Sequence, residues 1–307
     1  MIIMLMGGGL GNQMFQYALG RHLSIKNKQQ LKLDTRRFSL DVKPDTYNNI
    51  RIFGLDNFNV TGEVASEKEI KKHYRYYQNN SRINRLLSKI NKVRFLKKAY
   101  YERPFVIEPT DHCQIFDPNI LNYKYKNAYF RGFWQSENYF KDIRSVILQD
   151  FTVKTAPNEY NYALLKEIKK NTSVNLHFRR GDMTNPENIV GTLPFDYYDK
   201  AIKLLTDNIK NPTFYVFSDD IAWVKKNFKI DFPAIYVQNT LDKDYEDMRL
   251  MSQCKHHIIA NSTFSWWGAW LATNPGKIVI APERYAQKID RPNPDYYPKS
   301  WILIKNK

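Results

Sequence analysis

At 307 residues the chain is long enough for one large α/β domain or two ordinary ones, and 43% hydrophobic with 25% charged residues is usual for a soluble globular protein. Two cysteines, Cys113 and Cys254, without a C-x-x-C pair argue against a disulfide framework or zinc site and fit a reducing compartment. The apolar start Met1–Met6 stops at Gly7 and no later run reaches membrane-span length, so a cytoplasmic protein is expected.

The formal net charge is +16, and residues 68–103 hold twelve Lys or Arg against Glu69 and Glu102. Ile83, Leu86, Leu87, Ile90, Val93 and Leu96 recur there at helical spacing, which predicts an amphipathic helix with a basic exposed side. A solvated helical face is the plainest account of that charge. Peripheral contact with anionic lipid, at the inner face of a plasma membrane, is the more specific one. A nucleic-acid partner is not expected.

In chain order, Ile2–Met6 reads as a buried strand running into Gly7-Gly8-Gly9-Leu10-Gly11-Asn12, and 13–23 has helical apolar spacing. Strand, glycine turn and helix open a dinucleotide-type α/β unit. Leu31–Asp34 is the next predicted strand. From 44 to 150 the pattern is irregular and reads as helices and long loops completing an N-terminal domain over 1–150. The second domain, 151–307, is regular. Strands are predicted at 174–178, 213–217, 234–237, 257–260 and 277–280, with helices near 195–208, 221–228, 244–254 and 262–272. That alternation implies a parallel sheet covered on both faces, whose carboxyl edge is where ligands bind.

The glycine turn lacks the third glycine of a dinucleotide fingerprint and has no Gly-Lys-Ser/Thr, so by itself it names no nucleotide. Asn12 can offer an amide at a helix start. His177-Phe178-Arg179-Arg180-Gly181-Asp182 is more specific, because two guanidiniums, an imidazole and a carboxylate crowd one strand end. The planar arginine fork pairs bidentately with phosphate. Asn261-Ser262-Thr263-Phe264-Ser265 opens a helix directly after a strand, where free amides and the dipole favour an anion. Trp266, Trp267 and Trp270 read as core. Asp219 and Asp220 either cap the next helix or bind ribose or guanine, and Asp247 is either a surface acid or a partner for guanine N–H groups. His256-His257 lacks companions at metal spacing. Asp242-Lys243-Asp244 resembles a D-x-D metal motif in letters but heads a helix, so no metal is expected.

Three segments together resemble the bacterial α-1,2-fucosyltransferases: Gly8-Gly9-Leu10-Gly11-Asn12-Gln13-Met14-Phe15-Gln16-Tyr17, His177–Asp182, and Asn261 to Trp270. They occur in the family's order across nearly the whole chain. The resemblance implies a GT-B architecture, two Rossmann-like α/β domains facing a central cleft, with 151–307 binding GDP-β-L-fucose and 1–150 on the acceptor side. It implies inverting transfer to the 2-hydroxyl of a terminal β-galactose in a surface glycan, lipid-linked or free, with no metal or other cofactor. Arg179 would grip the β-phosphate. His177 and Asp247 would lie by the nucleoside, with Arg180 and Asp219 also on the donor. Ser262, Thr263 and Phe264 would contact the diphosphate, and Asn12 would close over it. Asp182 is the candidate base by position, with Asp34 and Glu283 as alternatives. The rival functions are a fucosyltransferase of another linkage, such as α-1,6, and a non-catalytic nucleotide- or glycan-binding protein.

Overall fold

The computed structural model describes residues 1–38, 51–79, 105–109, 113–124, 126–240, 243–290 and 293–306. The amphipathic helix expected over 83–96 and Asp242 of the D-x-D-like triplet lie outside these residues.

Two wholly parallel sheets organise the chain. The first has the order β3 (Glu63–Val64), β2 (Leu31–Asp34), β1 (Ile2–Leu5), β5 (Ala128–Arg131), β4 (Phe105–Ile107). Its central strand pairs with both neighbours in register, Ile2 opposite Leu31 on one side and Ala128 on the other. The second sheet runs β11 (Ile302–Ile304), β10 (Val279–Pro282), β9 (His256–Ile258), β6 (Thr172–Phe178), β7 (Pro212–Ser218), β8 (Ala234–Tyr236). Here β6 is central, with Leu176 opposite Val216 and Ile258. Strands covered on both faces are buried throughout: β1 is a continuous apolar run, whereas Ser173–Phe178 is equally buried although polar Ser173, Asn175 and His177 alternate with its apolar residues.

The irregular region before residue 150 contains more sheet than its sequence suggests. Three of its short segments are strands, and β5 lies directly beside β1. A four-residue strand buried at three of its positions has no alternation to betray it. The later half likewise gains a sixth strand, β11, on the edge of its sheet.

In the second sheet the winding reverses once, between β6 and β9; in the first the chain runs outward from β1 to β3, crosses to β4 at the far edge and steps back to β5 beside β1. Such switch points leave a crevice at the carboxyl ends of the strands. The two crevices face one another, because the helix Leu10–Asn27 after β1 packs on the helix Thr263–Leu271 after β9. Trp266, Trp267 and Trp270 are buried in a core shared by both sheets, as expected. Phe15 stands 4.6 Å from Trp266 and 5.0 Å from Trp267, and Phe140 stacks on Trp267 at 5.1 Å. No helix among the described residues is long and apolar enough to cross a membrane.

Candidate active site

The site is built around the end of β6. Arg179 extends from it between two carboxylates: one terminal nitrogen bonds Asp182, and the other lies 2.6 Å from Asp219 at the end of β7. Asp182 uses its second oxygen to accept from Arg51, 3.1 Å away. A guanidinium held from two directions has lost its rotamer freedom in advance, and the rest of its five donors stay in a fixed fork. Gly181 is required here, since a Cβ would collide with the Asp219 carboxylate. Asp220 accepts from the amide of Trp223 and caps the helix Ile221–Asn227, so of the Asp219–Asp220 pair only Asp219 joins the cluster.

Arg180 points elsewhere. Its guanidinium lies 3.1 Å from the Trp223 ring centroid and 3.3 Å from Asp220, while its backbone amide donates to Asp219. A stacked, paired arginine steadies the loop, whereas its neighbour Arg179 is the one in the crevice.

His177 is buried one residue before the end of β6. Burial, with the Arg179 charge beside it, holds its pKa down at about 3, so the imidazole is neutral. Its Nδ1 makes no hydrogen bond. Across the crevice the Phe264 ring lies 5.9 Å away.

After the adjacent strand β9, Ser262 caps the helix Thr263–Leu271, its hydroxyl accepting from the Phe264 amide at 3.3 Å. Asn261 anchors this turn by donating to the carbonyls of Gly191 and Tyr285, at 3.0 and 2.9 Å. Thr263 and Phe264 remain half-exposed at the positive end of the helix dipole.

Asp247 lies on the helix Asp244–Gln253, which packs on the helix opened by Ser262. Asn239 donates to its carboxylate at 2.8 Å. Burial, assisted by Asp244 and Glu246, nevertheless pushes Asp247 up to about 7. Such a carboxyl gains on meeting N–H donors, which is what a guanine edge supplies. His256 and His257 serve the sheet: His256 accepts from the Ile278 amide and His257 pairs with Asn175.

The first sheet contributes the other wall. Gly8 has φ +77°, a value glycine adopts without strain, and turns the chain into the helix Leu10–Asn27. Gln16 fastens this turn to the loop after β5, accepting from Gly7 at 2.9 Å and donating to the Gly132 carbonyl at 3.0 Å. Asn12 accepts from Gln135 of that loop at 2.9 Å. Gly11 touches the second sheet's helix, where a Cβ would lie 2.5 Å from the Thr263 carbonyl carbon, and its own carbonyl accepts from the Trp267 indole at 3.0 Å. Asn12, Arg179, Asp182, Asp219, Ser262, Thr263 and Phe264 therefore meet across one cleft.

Of the two alternative bases, one is already engaged within the first sheet. Asp34 is wholly buried, bonded by Arg36 at 2.9 Å and Tyr129 at 2.6 Å. Burial works to raise its pKa, but those bonds outweigh it and hold the carboxyl below its usual range. Glu283 is an exposed residue whose backbone amide pairs with Ile304.

Sequence reasoning missed Arg51, Asn239, Gln135 and Glu108. The last of these follows β4 and accepts from the amides of Phe133 at 2.6 Å and Trp134 at 3.1 Å, which fixes the loop that carries Gln135. Trp134 has φ +56°, a strained value for a bulky residue. Burial pushes Glu108 up to about 7 against the pull of those two amides.

Paired switch points with an arginine fork on one wall and helix starts on both are the build of a GT-B glycosyltransferase, a class that moves a sugar from a nucleotide carrier. The comparisons with known proteins narrow this. The model of glycosyl transferase family 11 matches residues 1–305, and the chain belongs to that family. Its relatives include the O-antigen biosynthesis glycosyltransferase WbnK of Escherichia coli, 36% identical over 91% of this chain and 93% of that protein. They also include an α-1,2-colitosyltransferase of Escherichia coli, 32% identical over 99% of each chain. The solved fucosyltransferase NodZ from Bradyrhizobium shares the fold, with TM-score 0.53 and 12% identity over 91% of this chain and 94% of that one.

Proposed function

We propose that this enzyme moves L-fucose from GDP-β-L-fucose to the 2-hydroxyl of a terminal β-galactose in a surface polysaccharide or related oligosaccharide, inverting the anomeric carbon and using no metal. The observation that carries this reading is Arg179, clamped by Asp182 and Asp219 at the end of β6, with the helix start capped by Ser262 following the adjacent strand β9. The O-antigen role named for WbnK supports a polysaccharide acceptor.

In this reaction the C1–O bond to GDP lengthens before the acceptor oxygen is fully bonded, so positive charge grows on the sugar and negative charge on the β-phosphate. Arg179 and the amides opening the Thr263–Leu271 helix meet that negative charge in an already ordered arrangement, which is how electrostatic catalysis avoids reorganisation. The diphosphate leaves from one face of the sugar and the acceptor 2-hydroxyl attacks from the other, its proton passing to solvent as the new C1–O bond forms. Asp247, held by Asn239, takes guanine N–H groups, while neutral His177 and the Phe264 ring line the nucleoside side. Asn12 reaches the donor from the opposite wall. Asp182, bonded by two guanidiniums, is better placed to position Arg179 than to take the acceptor's proton.

A second donor deserves the same assay. Colitose is fucose without its 3-hydroxyl, and a relative spanning the whole chain is a colitosyltransferase. Purified enzyme should be given GDP-fucose or GDP-colitose with a panel of β-galactosides, and the product linkage determined. An α-1,2-fucosylated product supports the proposal; transfer only from GDP-colitose, or a product of another linkage, refutes it.

A further inference from the structure

We infer that Arg51 is a second phosphate-binding arginine, supplied to the donor's β-phosphate from the opposite wall of the cleft, so that transfer requires both walls. This rests on the proposed GDP-sugar reaction and assigns a residue to it.

Arg51 lies outside the three sequence motifs, but its place is tightly set. The side chain of Gln13, in the glycine-turn motif, donates to the Ile52 carbonyl at 2.8 Å and accepts from the Gly54 amide at 2.9 Å. The segment carrying Arg51 is thereby fastened to the start of the helix Leu10–Asn27. One terminal nitrogen of Arg51 stands 3.7 Å from where a Cβ on Gly9 would be, and Gly9 is the cap residue of that helix. A cation beside the positive end of a helix is unfavourable unless an anion joins them.

Asp182 is an anion at that place. Its two oxygens bond one guanidinium each, Arg179 from the second sheet and Arg51 from the first. The two forks are therefore close enough for one small oxyanion to bridge them. The Arg51 side chain is 28% exposed against 9% for Asp182, so solvent reaches the arginine more than the carboxylate it pairs with. A terminal phosphate entering between the walls would find donors on both sides, with Asp182 holding the two forks at the right separation. As C1–O cleavage puts charge on the leaving β-phosphate, Arg179 and Arg51 share it, and neither wall alone provides both.

The test compares GDP with GMP, which lacks the β-phosphate, by calorimetry on Arg51→Ala and Arg51→Lys. Arg51→Ala should weaken GDP by about 10- to 100-fold, the worth of a charge-assisted hydrogen bond, and leave GMP unchanged. Unchanged GMP binding also certifies the fold. Arg51→Lys should fall between, and millimolar guanidinium should restore part of the turnover of Arg51→Ala, which a merely structural arginine would not allow. Equal losses for GDP and GMP, or no loss for either, overturn the assignment of Arg51 alone. A wild-type protein that binds neither nucleotide overturns this inference together with the proposed function.

Discussion

Gly11 and Thr263 are in backbone contact across the cleft, so close that the smallest side chain on Gly11 would strike the Thr263 carbonyl carbon at 2.5 Å. Neither atom belongs to a flexible side chain that can step aside. Gly11→Ala must therefore separate the glycine turn from the helix start, at a cost of about 1–3 kcal/mol typical of overpacking. Thermal unfolding should report that loss, and transfer should fall further than stability does. A variant with wild-type turnover would show that the two walls need not meet.

Arg179→Ala should lower turnover by roughly 10²–10³-fold, the usual effect of removing one donor to developing negative charge. Its circular dichroism should be unchanged. Because the proposed charge acceptors are protein groups, wild-type turnover should also survive excess EDTA. Activity lost to EDTA and restored by a divalent cation would contradict the metal-free reading.

Asp182→Asn tests positioning against base catalysis. Positioning predicts a lower kcat with a pH–rate profile of unchanged shape, since the lost ion pairs loosen Arg179 and Arg51 without removing a proton acceptor. Disappearance of the profile's acidic limb would instead make Asp182 the base.

Donor affinity should depend on pH through Asp247, whose carboxyl is pushed up to about 7 in the folded enzyme. The carboxylate is the form that accepts guanine N–H groups, so protonation competes with the donor. The donor KM should rise as pH falls from 8 to 6 and be level above 8. Asp247→Asn should bind weakly with no such dependence. A wild-type KM that is flat across this range would remove Asp247 from the nucleoside site.

Glu108 carries a different pH signature, in stability. Its ordinary value is 4.5 and its folded value about 7, so between those pH values the folded chain holds a proton that the unfolded chain has released. Stability then declines as pH rises from 4.5 to 7 and is level beyond, by a total on the order of 3 kcal/mol. Glu108→Gln keeps an oxygen for the Phe133 and Trp134 amides, and the difference in melting temperature from wild type should shift in its favour across that window. A pH-independent difference would mean that Glu108 is ionised throughout.

The parts of the site that could be read from sequence are those written in consecutive residues. His177–Asp182 spans the end of β6 and Asn261–Phe264 comes shortly after β9, so spacing alone puts these segments at the carboxyl edge of a sheet. Asp247 was legible only as one of two readings, surface acid or guanine partner, and the family resemblance chose between them and gave Asn12 its part. Arg51 was hidden because nothing around it marks it; its meaning depends on Asp182, 131 positions later. Glu108 was hidden likewise, since its partners are backbone amides that any sequence supplies. The neighbouring Arg179 and Arg180 look interchangeable as letters, and only the placing of Trp223 and Asp220 tells them apart.

The aromatic contacts between Phe15, Phe140, Trp266 and Trp267 bear on how this family can diversify. Cutting the chain near residue 150 would leave indoles without their covering rings, so neither half is an exchangeable module. A chimera that imports a relative's donor specificity has to carry the glycine turn and the Thr263–Leu271 helix together. These two segments, 251 positions apart at Phe15 and Trp266 (266 − 15) but adjoining in space, behave as one packing unit.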